Sequence, residues 1–299
     1  MRTLVIYAYH ESPGSRENLA YFVKHGMEEA NTHYVLVVNG GVCTVPLGNK
    51  WDRIASRENT RLDFGAWQYA LYHLNTNAYT LFLFVNATVR GPFGRTAWLR
   101  PFQELLNDTT LLVGLTVNIC TNEGYARIHH RAIVPHVQSM FWGTNRRGFE
   151  LLRPHLLRPF PDNKSYIIAH YEIGNSLRVL DAGYNITCIL PSYRHDYRRH
   201  DLLLSYAKSN PQAYAAQGDL WKNRLYFGRN LDPNETIFFK TNRGIPLRSA
   251  PVVKPVARLE APIVHKARRK KRSVRPRIQS SVPPPRKSVN RGTSYSLNL

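Results

Sequence analysis

Cysteine is scarce in this chain, with three in 299 residues, and no apolar run approaches the length of a membrane helix. Such a helix needs about 20 uninterrupted apolar residues. Cys43, Cys120 and Cys188 lie far apart, each within an apolar or strand-like run, and no CxxC is present. An odd count without a pairing pattern argues against a disulfide framework and against structural zinc, and favours buried reduced thiols. The start, Met1 to His10, has too short an apolar core for a signal peptide and lacks a cleavage site. It reads as a first β-strand, so a cytoplasmic rather than a secreted protein is expected. Acids are also in short supply: 20 Asp and Glu face 41 Lys and Arg, for a net charge of +21.

That charge is uneven. Pro251 to Leu299 holds thirteen Lys and Arg against one acid, Glu260, so +12 of the excess sits in a sixth of the chain. The same stretch is rich in proline and nearly free of aromatics, and cannot bury enough surface to offset chain entropy. Residues 250–299 are therefore expected to be a disordered basic tail on a folded body of residues 1–249. Hydrophobic residues at 43% and aromatics at 11% exclude global disorder and allow one large α/β domain or two small ones.

Periodicity predicts strands near 3–9, 33–38, 51–56, 79–85, 111–117, 137–143 and 184–190. Helices are expected near 16–29, 63–74, 99–106, 147–152 and 176–182, the last closed by Gly183. The near-continuous apolar run 79–85 has the character of a buried central strand. Beyond Tyr197 the pattern weakens to short helices at 202–207 and 221–226 and a last strand or extended arm at 236–240. Strand–helix alternation of this kind points to an α/β fold, a mostly parallel mixed sheet flanked by helices.

Ligands of open α/β sheets bind beyond the carboxyl ends of the strands. Four polar stretches fall at such places. His10 to Arg16, with His10 and Ser12, can offer backbone N–H groups and a helix start to a phosphate or base, or can simply connect. In Arg57-Glu58-Asn59-Thr60-Arg61-Leu62-Asp63, the arginines suit a diphosphate and Asp63 suits a base or ribose. Asp63 can equally be the cap of its helix. Asn86-Ala87-Thr88-Val89-Arg90-Gly91-Pro92 follows the most apolar strand, either as a polar lip with Arg90 on a phosphate or as a plain turn. Finally, in His170-Tyr171-Glu172-Ile173-Gly174-Asn175-Ser176, Glu172 can act as a general base or merely favour a helix dipole. Tyr193 to His200 mixes metal-capable and phosphate-capable side chains, and taken alone reads as a solvated basic loop.

Several dispersed blocks, in order, carry a resemblance. Arg57 to Trp67, Phe84 to Phe93, His136 to Phe141, Glu172-Ile173-Gly174 with Asp181 to Ile186, and Phe238 to Arg243 are similar to a group of GT-A-like glycosyltransferases. These occur in large DNA viruses, algae and bacterial polysaccharide clusters. The likeness covers about residues 1–243 and implies a nucleotide-sugar donor, a glycan or glycoprotein acceptor and often Mn2+ or Mg2+. It implies Glu172 as the base of an inverting reaction. The expected donor contacts are His10, Ser12, Arg57, Asn59, Asp63, Asn86, Thr88 and Arg90, with Gln138 and Trp142 on the acceptor side. One departure stands out: the Asp-x-Asp metal motif is replaced by Asn86-Ala87-Thr88, which has no carboxylate. Hard divalent cations prefer anionic oxygen, so metal dependence is in question, with His195 the remaining candidate ligand. Arg57, Arg90 or His195 is then expected to stabilise the departing diphosphate.

Two other expectations compete. A nucleic-acid-binding or virion structural protein would act through residues 254–291, around Arg268-Arg269-Lys270-Lys271-Arg272, on a polyanion or an acidic membrane surface. A catalytically inactive fold that only binds sugars is the third.

Overall fold

The computed structural model describes residues 2–27, 29–94, 97–120, 123–209, 219–245 and 247, and the expected basic tail at 250–299 lies outside them. The described residues belong to one unit, Met1–Lys254. No helix among them is long and apolar enough to cross a membrane.

Strand β1 (Thr3–His10) is buried from Thr3 to Tyr9, as expected of a strand covered on both faces. Ser12 accepts from the Ser15 amide at 3.2 Å and, with Pro13 next, starts α1 (Pro13–His25). Strands β2 (Thr32–Asn39) and β3 (Arg53–Arg57) follow, then α2 (Leu62–His73). Strand β4 (Leu81–Asn86) is buried end to end, and Trp67 of α2 packs edge-on against its Phe84. Next come β5 (Val89–Arg90), α3 (Arg100–Leu105), β6 (Thr110–Gly114) and β7 (Val117–Cys120). They are followed by α4 (Glu123–Ile128), β8 (Val134–Val137) and β9 (Phe141–Asn145). Helix α5 (Arg146–Leu156) begins under the Asn145 side chain, which accepts from the Gly148 amide. A continuous helical stretch then runs through α6 (Lys164–Ile167), a π-helical turn (Ile168–Ile173) and α7 (Gly174–Asp181). After β10 (Asn185–Cys188) come a 3-10 turn (Pro191–Tyr193), α8 (His200–Ser209), α9 (Pro233–Thr236) and β11 (Phe239–Lys240).

The main sheet has seven strands in the order β10-β6-β9-β4-β1-β2-β3. All its pairings are parallel except those of β9, which runs against both β4 and β6. The expected mostly parallel mixed sheet flanked by helices is the fold found. Register fixes the functional edge. His10 stands beside Asn39, Asn39 beside Arg57, and Ala8 beside Asn86, so four strands end together. Because β9 is antiparallel and Phe141 pairs with Val85, the segment just before β9 reaches the same edge. Two short ribbons, β5 with β11 and β7 with β8, stand outside the main sheet.

Three expectations need correction. The single strand foreseen at 137–143 is two, because β8 pairs with β7 while β9 enters the main sheet. The helix foreseen at 221–226 is a set of turns, in which Arg224 and Phe227 adopt left-handed φ values of 58° and 48°. The polar stretch 170–175 is helical rather than a loop ahead of a helix. Gly174 keeps a helical φ of −59°, and the buried Ser176 hydroxyl accepts from the Val137 amide at 2.9 Å. Tertiary partners thus satisfy polar groups that local sequence suggests should face water.

Candidate active site

The loop from β3 into α2 forms one wall. Arg61 and Leu62 take consecutive left-handed φ values of 57° and 52°, unusual for residues with a Cβ. The Asp162 carboxylate holds the turn by accepting from the Arg61 amide at 2.6 Å. Arg61, not Asp63, occupies the cap position of α2, and it makes no side-chain cap bond. The Asp63 carboxylate is therefore free of capping and accepts instead from Asn86 Nδ2 at 2.7 Å. Asn86 Oδ1 in turn accepts from the Thr88 amide at 3.0 Å and the Thr88 hydroxyl at 2.6 Å. Burial pushes Asp63 up to about 6; the Asn86 bond, Lys240 and His10 act downward, and Glu172 acts upward. A polar chain Asp63–Asn86–Thr88 thus lines the carboxyl end of the central strands.

His10 donates from Nδ1 to the Asn39 carbonyl at 3.0 Å, which leaves Nε2 to accept from Asn59 Nδ2 at 3.5 Å. The remaining donor-side candidates are held elsewhere. Arg57 donates to Asn39 Oδ1 at 2.7 Å, to the Thr60 carbonyl at 2.9 Å and to the Thr60 hydroxyl at 2.8 Å. Arg90 donates to Asn18 Oδ1 at 3.0 Å and pairs with Glu17. Ser12 caps α1. These three side chains shape the edge through bonds within the protein.

Glu172 lies on the π-helical turn, a distortion often found at functional sites. Its Oε2 accepts from the Ser139 amide at 3.3 Å and also from the Ser139 hydroxyl. On the other side, His136 Nε2 stands 3.7 Å from Oε1. His136 is buried and donates from Nδ1 to the Val134 carbonyl at 2.9 Å, an assignment that follows from the partners. Its Nε2 is thereby turned to Glu172. Burial, the largest effect, holds the His136 imidazole below its usual pKa, while Glu172 and the Val134 carbonyl favour its cation.

Trp142 sits in the wall beside this carboxylate, and Gln138 precedes Ser139 in the chain. Gln138 is buried and accepts from the Thr116 hydroxyl at 2.6 Å. Trp142 stacks on Phe84 with centroids 4.0 Å apart and lines a small recess with Phe64, Ser139, Glu172 and Asn175.

Lys240 completes the group. Pairing of β11 with β5 sets it opposite Val89, and the Thr241 amide donates to the Thr88 carbonyl at 2.9 Å. Asn18 pins the same corner, donating to the Ala87 carbonyl at 2.9 Å and to Thr241 Oγ1 at 2.8 Å. Burial, the largest effect, and Arg243 lower the Lys240 pKa, against the pull of Asp219, Glu172 and Asp63. Asp63, Glu172 and Lys240 therefore share one field at the sheet edge.

The residues present do not fit a divalent cation, which asks for several oxygen ligands. Among the described residues no group of three or more His, Cys, Asp or Glu side chains is gathered to hold one. Asp63 already receives the Asn86 amide, and Asn86 Oδ1 is occupied by Thr88. His195, the ligand expected from the sequence, stacks on Tyr206 at 4.5 Å and lies beside Tyr193 and Tyr197.

No family model matches this chain, and no curated protein matches its sequence. Solved structures similar to it include a mannosyltransferase from Pyrobaculum calidifontis in complex with GDP-Man and Mn2+. That similarity has 15% identity and a TM-score of 0.43 over 62% of this chain and 54% of the other. This chain thus spans about half the length of that protein. A glucosyl-3-phosphoglycerate synthase from Mycobacterium tuberculosis, in complex with Mn2+, UDP and phosphoglyceric acid, is 13% identical. Its TM-score is 0.44, over 62% of this chain and 67% of the other. A 4-diphosphocytidyl-2C-methyl-D-erythritol synthase from Anaerococcus prevotii is 10% identical, with a TM-score of 0.39 over 69% and 96%.

Sequence reasoning missed Lys240, His136 and Ser139 as site residues. The polar pair Gln138-Ser139 inside an apolar run was the available signal for a strand break. For Lys240 the only signal was a lone cation in a short aromatic stretch, Phe238-Phe239-Lys240.

Proposed function

We propose that this chain is a glycosyltransferase that moves a sugar from a nucleoside-diphosphate donor to a hydroxyl of a glycan or glycoprotein acceptor, with inversion. One observation carries the reading. A carboxylate held by Ser139 and a second carboxylate held by Asn86 share the carboxyl edge of a parallel sheet, within electrostatic reach of each other. The first suits proton removal and the second suits a nucleoside.

In the step assigned here, the acceptor oxygen attacks the anomeric carbon and forms the new glycosidic bond. The bond from that carbon to the phosphate oxygen breaks, and the electron pair leaves with the nucleoside diphosphate. The acceptor proton passes to Glu172, whose carboxylate Ser139 holds in place. Asp63 accepts from a ribose hydroxyl or a base N–H, with His10, Asn59 and Thr88 around it. The acceptor hydroxyl comes to Glu172 beside the recess that Trp142 lines, which is itself too small for a sugar ring, and Gln138 braces the turn into β9.

Glu172→Gln tests the assignment. Turnover of a competent donor–acceptor pair is expected to fall by about 100-fold or more while donor affinity, measured by calorimetry, stays unchanged. Near-normal turnover in this variant would remove Glu172 from the base role.

A further inference from the structure

The leaving diphosphate carries charge that a transferase must neutralise, and the charged side chains around this edge are largely committed. Arg57 is bonded to Asn39 and Thr60, Arg90 to Asn18 and Glu17, and Arg243 to Asp219 at 2.7 Å. Arg61 donates toward Gln68 and lies over the Phe160 ring. Lys240 differs from all of these. Its ammonium makes no hydrogen bond or ion pair with any described residue. The backbone that carries it, by contrast, is fixed by the β5–β11 ladder and by Thr241 on Thr88. A half-buried ammonium on a pinned backbone, beside the Asn86-Ala87-Thr88 segment and in the field of Asp219, Glu172 and Asp63 without bonding any of them, is a cation waiting for an anion.

We propose that Lys240 is the cation that grips the donor diphosphate, so that this chain binds its nucleoside diphosphate without a divalent metal. The proposal rests on the donor assignment above and goes beyond it in naming what replaces the metal. Lysine is a compact point charge with three donors and serves well as a phosphate ligand. Placed where negative charge develops on the leaving oxygen, in a partly dry site, it stabilises departure as well as binding. Burial that disfavours the free ammonium is relieved when a phosphate arrives, because the ion then has a partner. Among the described residues no metal-like donor set is gathered: Asp63 accepts from Asn86 and Asp219 pairs with Arg243.

Calorimetry on the full chain in EDTA tests this, with UDP, GDP and dTDP and the matching monophosphates as probes. At least one diphosphate is expected to bind without metal. Lys240→Ala and the stem-preserving Lys240→Met are expected to weaken that binding about tenfold or more, a size typical of a lost charged hydrogen bond. Lys240→Arg is expected to retain most of the affinity, and monophosphate binding is expected to change little. Thermal melting of the free variants separates misfolding from lost contact, and the Arg variant reports if the other two fail to fold. Diphosphate binding that appears only on adding Mn2+ or Mg2+ would overturn the role of Lys240 while leaving the transferase reading intact. Unchanged affinity in Lys240→Met would do the same. If no nucleotide binds with or without metal, the donor assignment itself falls, and this inference with it.

Discussion

Asp63 shows how much chemistry one side chain takes from its surroundings. Burial lifts its pKa to about 6 against an ordinary 3.8, so between those values the folded chain holds a proton that the unfolded chain has released. The sign follows: unfolding stability contributed by this group falls as pH rises from about 4 to about 6, and is constant above that. Ligand binding runs the other way, since only the anion accepts from a nucleoside without giving up a proton. Nucleotide affinity is expected to rise with pH through about 6 and then level off. In Asp63→Asn the rise is expected to vanish, and a calorimetric titration series from pH 5 to pH 8 checks both. Ser139 works at the same scale, through Glu172. Ser139→Ala is expected to lower kcat about tenfold with donor KM unchanged, and Ser139→Thr to recover most of it. A purely structural serine would move stability instead and leave kcat alone.

At the scale of elements, two pieces position these residues: the tight entry to α2 and the π turn. Gly65 allows the first. A Cβ there would stand 2.6 Å from the Thr60 carbonyl and 2.9 Å from Arg61 Cβ, closer than real contacts permit. Gly65→Ala is therefore expected to destabilise the fold by about 1–3 kcal/mol and to weaken nucleotide binding through the displaced 57–61 loop. A lower melting temperature with unaltered nucleotide affinity would show that the loop is decoupled from the site. The π turn was the element least visible beforehand. In His170-Tyr171-Glu172-Ile173-Gly174-Asn175 the Gly and Asn argue for a loop, and only tertiary packing overrides them. Asn175 and Ser176 are buried in α7, where Ser176 accepts from β8. Strands β1, β2 and β4 were readable because burial on both faces writes an unbroken apolar run. The short β5 and β11 leave no such mark, as two residues carry no period.

Across the whole molecule, strand order turns distant residues into neighbours. Positions 10, 39, 57 and 86 end parallel strands, and this much followed from the rule that ligands bind at carboxyl ends. The stretches after β3 and β4 put Asp63, Asn86 and Thr88 forward as candidates, whereas Glu172 came from a separate polar stretch that proves to be the π turn. The same rule is silent about Ser139, which arrives on the antiparallel strand, and Lys240, which arrives on a ribbon outside the main sheet. Arg57 and Arg90, expected at a phosphate, are bonded within the protein. Arginines at a strand end invite assignment to phosphate, yet each here is consumed by Asn, Thr or Glu partners that no spacing in the sequence reveals.

The most direct test of the account is release of nucleoside diphosphate from UDP-, GDP- and dTDP-sugars in EDTA. It is run with the full chain and with Glu172→Gln, over a panel of glycan and glycoprotein acceptors. The account predicts acceptor-dependent release from one donor class, persisting in EDTA and lost in the variant. Acceptor-dependent release of equal rate in the variant, or no release from any donor together with no nucleotide binding, would contradict it.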